Sequence, residues 1–463
     1  LYSNSTASNN TAVGYKAAYS NTTGTRNTVL GKNTYYTATT GNDNVAIGEG
    51  AMYYNTTGSF NVAVGRSALV ENTTATYNTG VGYQALNLTT TGQYNTATGG
   101  LALQKNTTGE FNSSYGLNSM NANTTGSNNT GYGAYSLYSN TTASYSTAVG
   151  KNAAYSTTTS SQGVTVVGSD ALYQNTTGTD IVAMGRAALY NNTTGNNNVA
   201  LGRSALQSNT TASSNTAVGY QAAYSNTTGS ANNAFGTSAL YTNTTGSQNV
   251  AMGNNTLDNN TTGSYNVALG NQALGANTTA SYNSALGHLA LNANTTGVSN
   301  VAVGYGALAS NTTANSNTAM GVNALTANTT GAENVALGQQ ALDNNTTANN
   351  NTSLGYQAGY SNTTGSNNTA VGRKAGYSTT TGGANVFVGQ SAGLNTTSSN
   401  NTFLGVNSGD LVTSGSKNTI LGRYNGNQSG LDIRTSSNNI VLSDGDGIPR
   451  IIVDSSGNVL INK

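Results

Sequence analysis

Apolar residues along this chain come in short bursts bounded by Asn, Thr and Gly, and the bursts recur with a fixed period. The pattern Asn-Thr/Val-Ala-Val/Leu-Gly places its glycine at Gly14, Gly31, Gly48 and Gly65, and onward through Gly202, Gly219, Gly304 and Gly372 to Gly422. There are 25 such anchors. Of the 24 intervals between them, 22 are 17 residues long, one is 18 (Gly150 to Gly168) and one is 16 (Gly389 to Gly405). Linkers let their length drift, so spacing this strict marks a repeated structural unit.

With each anchor glycine numbered 0, position −1 is Val, Leu, Ile, Met or Phe in 22 of the 25 units, −3 is mostly Thr or Val, and −2 is usually Ala. This alternation predicts a short strand with −1 and −3 on one face and −2 on the other. Position +3 is Ala in 19 units and +4 is often Leu, as at Leu69, Leu86, Leu189 and Leu206, which predicts a second short strand. Turn-forming residues separate the two: the glycine itself, and Asn-Thr-Thr-Gly or Asn-Thr-Thr-Ala from +7. A helical reading fails, because the apolar residues do not recur at i, i+3, i+4, i+7 and Gly, Asn and Thr are poor helix formers.

Seventeen residues accommodate two short strands and two turns, one coil of a flattened solenoid. The expected fold is therefore all-β, a parallel β-solenoid of about 25 coils over residues 10–430. Residues 1–9 are a lead-in and 431–463 a β-rich cap or connector. Strands ~4.8 Å apart would make the rod roughly 120 Å long. Position −4 is Asn in 22 of 25 units, which fits ladders of Asn side chains bonded along the stack. The core is expected to be thin, formed by the −1 aliphatic, the +4 Leu and several alanines. Stability would then come from nearest-neighbour stacking. Thr98, Tyr115 and Tyr132 replace the −1 aliphatic in three adjacent units, so a looser or bent segment is expected around Thr96 to Gly133, with Gly131 compensating for volume.

Composition narrows the function. Only 6% of residues are charged and the net charge is +1, which gives no long-range field toward nucleic acid or anionic lipid. No apolar run approaches the length that spans a bilayer, so membrane insertion is not expected. Cysteine is absent, which excludes a disulfide framework. No secretory signal peptide is visible and the first residue is Leu1, so the chain is expected to be a piece of something longer.

The units Asn44-Val45-Ala46-Ile47-Gly48-Glu49-Gly50-Ala51, Asn215 to Ala222 and Asn300 to Ala307 resemble the head repeats of trimeric autotransporter adhesins. The likeness recurs from about Asn10 to Gly422. It implies a left-handed parallel β-roll, three chains about one axis, and an adhesive role outside the cell. The 17-residue period and the Asn-Thr-Thr turns depart from that pattern. They look more like the repeats of phage tail fibres and bacterial tail fibre domain proteins. The stretch Asn438 to Lys463 resembles the β-rich element that precedes a self-cleaving chaperone in such fibres.

Candidate chemistry is sparse. Fourteen acidic residues leave few pairs close enough for acid–base work, so no catalytic residue, cofactor or metal is expected. The single histidine, His288, falls at the variable +1 position and is read as a surface residue. Asp444 and Asp446 sit in Ser-Asp-Gly-Asp-Gly, read as a turn in preference to a calcium loop. The 19 Asn-Thr-Thr triplets match the N-glycosylation acceptor pattern, although turn formation already explains them. Position +1 carries Lys or Arg in seven units, and stacking would set Arg186 and Arg203 one strand spacing apart; these charges are read first as solvating the rod and opposing side-by-side aggregation, and second as a contact for anionic surface glycans. Tyr recurs at +5 in eleven units, including Tyr173 and Tyr190, where rings could stack on sugars or cover a subunit interface.

The leading expectation is a non-enzymatic shaft of a homotrimeric extracellular fibre, a virion tail fibre or bacterial surface appendage, presenting a host-binding tip. Small −2 alanines would form the face packed about the trimer axis. The alternatives are an adhesin whose lateral faces bind host surface polysaccharide and, more remotely, an ice-binding solenoid with ordered Thr rows.

Overall fold

The computed structural model describes residues 1–158 and 163–462. The chain divides into two units, Leu1–Asn232 and Asn233–Lys463. The first holds thirteen three-residue strands from Thr11–Val13 to Thr216–Val218, and within it each strand pairs in parallel with its predecessor one coil back, as far as Thr216–Val218 on Val199–Leu201. The second holds twelve such strands from Asn233–Phe235 to Thr419–Leu421. The fold is thus an all-β parallel solenoid of about 25 turns, with no helix among the described residues.

Register is strict. Thr11 pairs with Thr28 and Ala12 with Val29, and in the second unit Val250 pairs with Val267. The parallel stack continues past residue 430, because Ile440–Ser443 still pairs in parallel with Thr419–Leu421. From there the chain reverses: Pro449–Val453 pairs antiparallel with Ile440–Ser443, and Val459–Ile461 antiparallel with Pro449–Val453.

Three expectations need correction. First, the +3/+4 segment is a tight turn and holds no second strand. Positions +2 and +4 both adopt left-handed backbone, as at Ser67 (φ 57°) and Leu69 (φ 52°), and a third such residue recurs at −5, as at Asp43 (φ 56°). Closing a coil in 17 residues demands sharp bends. Each left-handed non-glycine residue costs roughly 1–2 kcal/mol. The bends hold because backbone groups on both sides bond to the adjacent coils, for example Ala18 N–H to Thr34 O at 3.0 Å and Asn33 N–H to Tyr15 O at 2.8 Å.

Second, the faces of the strand are reversed from the expectation. Alanine at −2 points into the core and is fully buried at Ala46, Ala63, Ala200 and Ala336. The −1 aliphatic faces outward: Val13 is 57% and Leu354 47% exposed. The interior is narrow, and the +4 leucine fills it from the opposite wall. At Gly80, a −2 position, an added Cβ would already meet the Leu69 side chain at 3.5 Å. Only a methyl fits there, so volume, not hydrophobicity, selects the inner residue. The −2 alanines are therefore internal to each chain and cannot form the trimer-packing face expected of them.

One region uses the complementary solution. Phe387 and Phe403 occupy −2, and the +4 positions around them are Gly376, Gly393 and Gly409. A Cβ at Gly393 would lie 2.5 Å from the Phe387 ring, and one at Gly409 the same distance from Phe403.

Third, the segment Thr96 to Gly133 is not loose. Thr98 pairs with Tyr115 and Tyr115 with Tyr132 in unbroken register, and Gly116 N–H and Gly133 N–H reach the preceding coil at 2.8 and 2.7 Å. An outward −1 tolerates tyrosine without disturbing the core. The change inside is different: Ser114, Ser119 and Ser136 replace alanines, bonded as Ser114 Oγ to Ser119 O at 2.9 Å and Ser119 Oγ to Ser136 Oγ at 2.8 Å. Gly131 makes room for these hydroxyls, since its Cβ would lie 2.7 Å from Ser119 Oγ.

The two irregular intervals differ. Pairing is in step at Thr158 with Thr176 and again at Thr165 with Val182, so the 18-residue interval takes up its extra residue between Thr158 and Thr165, a stretch that includes residues outside the described ones. In the 16-residue interval the turn is one residue short, and Thr396 takes the buried +7 place normally held by Asn.

Candidate interaction surfaces

The anchor glycines are structural. Gly14, Gly31, Gly48, Gly65, Gly202, Gly219, Gly304 and Gly372 have φ between 124° and 140°, a region essentially closed to other residues. At Gly48 an added Cβ would sit 2.6 Å from the Gly65 carbonyl oxygen. Close stacking of successive coils at this corner therefore demands glycine.

Two buried Asn rows flank the Asn-Thr-Thr turn. The −4 Asn accepts the backbone N–H of the next −4 Asn, as Asn44 Oδ1 does from Asn61 N–H at 2.9 Å. The +7 Asn donates to the carbonyl at +10 and to the +7 Asn one coil earlier: Asn123 Nδ2 reaches Gly126 O at 3.0 Å and Asn106 Oδ1 at 2.8 Å. The threonine at +8 donates along the stack, Thr22 Oγ1 to Thr39 O at 3.0 Å, while Thr23 at +9 is exposed.

These bonds settle the accessibility of the glycosylation pattern. Of the 19 Asn-Thr-Thr triplets, 18 place their asparagine at +7, from Asn21 to Asn362, with at most 2% of its surface exposed. A glycan on that nitrogen is incompatible with the closed coil. The shortened coil makes the exception: Asn395 is exposed at +6, its Nδ2 donating to Asp410 O at 2.8 Å.

The +5 tyrosines form ladders. Tyr173 and Tyr190 stack at 5.1 Å and 5°, Tyr155 and Tyr173 at 5.0 Å and 10°. Burial, then the neighbouring phenols, push the Tyr155 hydroxyl above its ordinary range. Rings stacked face to face present their edges outward, so inside a ladder the faces a sugar would stack on are already covered. A second ladder, at −5, follows the 17-residue recurrence of Phe60, Tyr77, Tyr94 and Phe111 in the sequence. Its rings stack at 4.9–5.2 Å and are exposed, and all four residues have left-handed backbone.

The +1 row is solvated. Arg186 and Arg203 are both exposed, and the Arg203 guanidinium lies 5.8 Å above the Tyr220 ring, a +1 residue and no part of the Tyr173–Tyr190 ladder. Glu49 sits between Lys32 (3.7 Å) and Arg66 (3.8 Å), all three largely exposed, a pairing worth under about 1 kcal/mol. His288 is exposed and stacks on Tyr305 at 5.6 Å.

Asp444 caps its own turn. It accepts Ile448 N–H at 2.9 Å and Asp446 N–H at 3.1 Å and pairs with Arg450; the Ile448 N–H first, and then the Arg450 guanidinium, hold its carboxyl below the usual range. Asp454 repeats the device with Ser456 and Asn458. Among the described residues no group of three or more His, Cys, Asp or Glu side chains could hold a metal ion. A polar cleft of about 250 Å³ lies nearby, lined by Asn407, Asp410, Arg423, Asn425, Gln428 and Asp446.

The outward strand face exposes apolar side chains over many coils. In the second unit, Met252, Leu286, Met320, Leu354, Leu404 and Leu421 are exposed along the −1 row, with Val267 and Val386 exposed on the adjacent −3 row. Val13, Leu30 and Met184 do the same in the first. In comparisons with known proteins, no family model, no curated protein and no solved structure matches the chain.

Proposed function

We propose that this chain is a structural shaft segment of a homotrimeric extracellular fibre, a virion tail fibre or a cell-surface appendage. The observation that supports this reading is the row of outward side chains at −1, aliphatic in most coils, on a wall of parallel strands. Exposed apolar stripes of this kind mark association surfaces. A second copy set alongside in register presents the same side chain at the same rise, so every coil repeats the contact. Burying a half-exposed aliphatic contributes roughly 1 kcal/mol per coil, and a dozen coils together match the roughly 4–15 kcal/mol that association costs. Many coils are needed for the contact to hold, which suits a shaft. Three-fold symmetry follows the resemblance to trimeric adhesin heads and tail fibres. Sedimentation equilibrium of the full chain tests the reading: the expected mass is three times the 46.7 kDa chain, and a stable monomer at micromolar concentration removes it.

Lateral glycan binding draws less support, because stacking covers the ring faces inside the tyrosine ladders. The exposed +9 threonines, such as Thr23, Thr40 and Thr57, keep a water-ordering face as a second reading, which a thermal-hysteresis assay decides.

A further inference from the structure

We propose that the +5 tyrosine ladders are sites of oxidative covalent modification, at which a one-electron oxidant joins neighbouring rings as dityrosine and fastens one coil to the next. The proposal concerns the single chain and is independent of the fibre reading above.

The row keeps the phenol where stacking needs only a ring. All eleven aromatic residues at +5 are tyrosine, and each has another +5 tyrosine in an adjacent repeat. At −5, by contrast, Phe60 and Phe111 close the ladder although they are 48% and 53% exposed, so a coil edge accepts a ring without a hydroxyl even beside water. Internal hydrogen bonding does not account for the +5 hydroxyls either. The buried Tyr35 and Tyr424 donate theirs to Gly41 O and Leu431 O. Those of Tyr138, Tyr155, Tyr173 and Tyr190 have no hydrogen-bond partner among the described residues, and the four rings are only half-buried.

What the hydroxyl adds is redox chemistry between rings held side by side. Tyr138 and Tyr155 stack at 5.0 Å and 16°, and the contacts of Tyr173 with Tyr155 and Tyr190 are as close and flatter. In the second unit Tyr360 and Tyr377 repeat the arrangement at 5.1 Å and 7°. Each phenol gives up one electron and its Oη proton, leaving a radical shared between Oη and the two Cε carbons. Two such radicals on adjacent rungs swing edge to edge and form a Cε–Cε bond. The proton on each bonded Cε then passes to Oη, which restores both phenols. Two electrons and two protons leave in all; a haem peroxidase passes them to hydrogen peroxide, which becomes two waters. Neighbours fixed in place make the coupling effectively unimolecular, which favours it over encounter between separate chains. The ring edges, where the bond forms, are the part that stacking leaves open to solvent.

The test treats the full chain, at low concentration, with a haem peroxidase and hydrogen peroxide. Dityrosine fluorescence reads the yield, and mass spectrometry of linked peptides locates the bonds. Links are expected between Tyr155 and Tyr173 and between Tyr173 and Tyr190, with the product still running as one 46.7 kDa chain on a denaturing gel. Tyr173→Phe keeps the stack and should abolish both links while leaving the one between Tyr138 and Tyr155. Tyr83→Phe removes an exposed +1 tyrosine and should leave the ladder links unchanged. Far-UV circular dichroism confirms that each variant retains its β content. Dityrosine that forms only between separate chains, or only at tyrosines outside the +5 row, overturns the proposal, as does its absence.

Discussion

Asn300 Oδ1 accepts the backbone N–H of Asn317, one coil along, at 3.0 Å, while Asn300 Nδ2 donates to the carbonyl of Ala314 at 2.8 Å. One side chain thus joins two turns of the solenoid, and both asparagines are fully buried. Replacing it with alanine leaves the Asn317 N–H without an acceptor, whereas the Ala314 carbonyl keeps the Asn311 amide at 3.1 Å. Asn300→Ala should destabilise by about 2 kcal/mol, the penalty for one buried unsatisfied donor. Denaturant unfolding measures the loss. Hydrogen exchange should place it in the adjacent coils, since stability here passes between neighbours.

Glycines of one coil differ sharply in tolerance. Gly48→Ala would set a Cβ against the Gly65 carbonyl and force a backbone region that L-residues avoid, so it should cost about 3 kcal/mol or more. Gly50, two residues on, has φ 69° and open space, its nearest neighbour Ser67 Oγ at 3.8 Å from an added Cβ. Gly50→Asn should be neutral or stabilising by a few tenths of a kcal/mol. Equal effects of the two substitutions on the thermal midpoint would contradict this assignment.

The aromatic patch around Phe387 and Phe403 should respond to exchange of volume. Phe387→Ala is expected to cost about 3–5 kcal/mol through the cavity it leaves. Adding Gly393→Leu restores the alanine-inside, leucine-opposite arrangement of the other coils, and leucine already occupies left-handed backbone at Leu69 and Leu86. The double variant should recover part of the loss. A double-mutant cycle reports the coupling, and strict additivity would count against the proposed packing.

Three half-buried carboxyls at +5, Asp258, Asp343 and Asp410, are pushed above the ordinary aspartate range, chiefly by burial. A raised pKa means that the folded state favours the protonated form. That stabilisation is fully present below the unfolded value and is lost as pH rises through the folded one. At pH 7 each charged carboxylate therefore opposes folding relative to a neutral isostere. Asp343→Asn should raise the thermal midpoint at pH 7, and the gain should vanish near pH 3; a gain independent of pH would refute this account.

Outward and inward strand positions should separate cleanly. Leu354→Ser is expected to change intrachain stability by under about 0.5 kcal/mol, because the side chain already faces solvent. Ala336→Leu forces three carbons and their hydrogens into a closed interior and should cost about 1–3 kcal/mol. Unfolding at concentrations low enough to suppress association compares the two.

The sequence by itself determined the period, the coil, the parallel pairing in register and the Asn ladders. Each follows from a 17-residue recurrence that places like residues over like. It also marked the anchor glycines, though not their reason, the close approach of successive coils at Gly48 and Gly65. What only the tertiary structure decided was direction. A three-residue strand such as Val45-Ala46-Ile47 is apolar on both faces, so alternation cannot say which face is inside. Hydrophobicity ranks Val and Ile above Ala, yet the interior opposite Leu69 or Leu86 admits only a methyl, so the larger residues are turned outward. The same narrowness replaced the expected second strand with paired left-handed bends, because a coil this short must close around its own leucine.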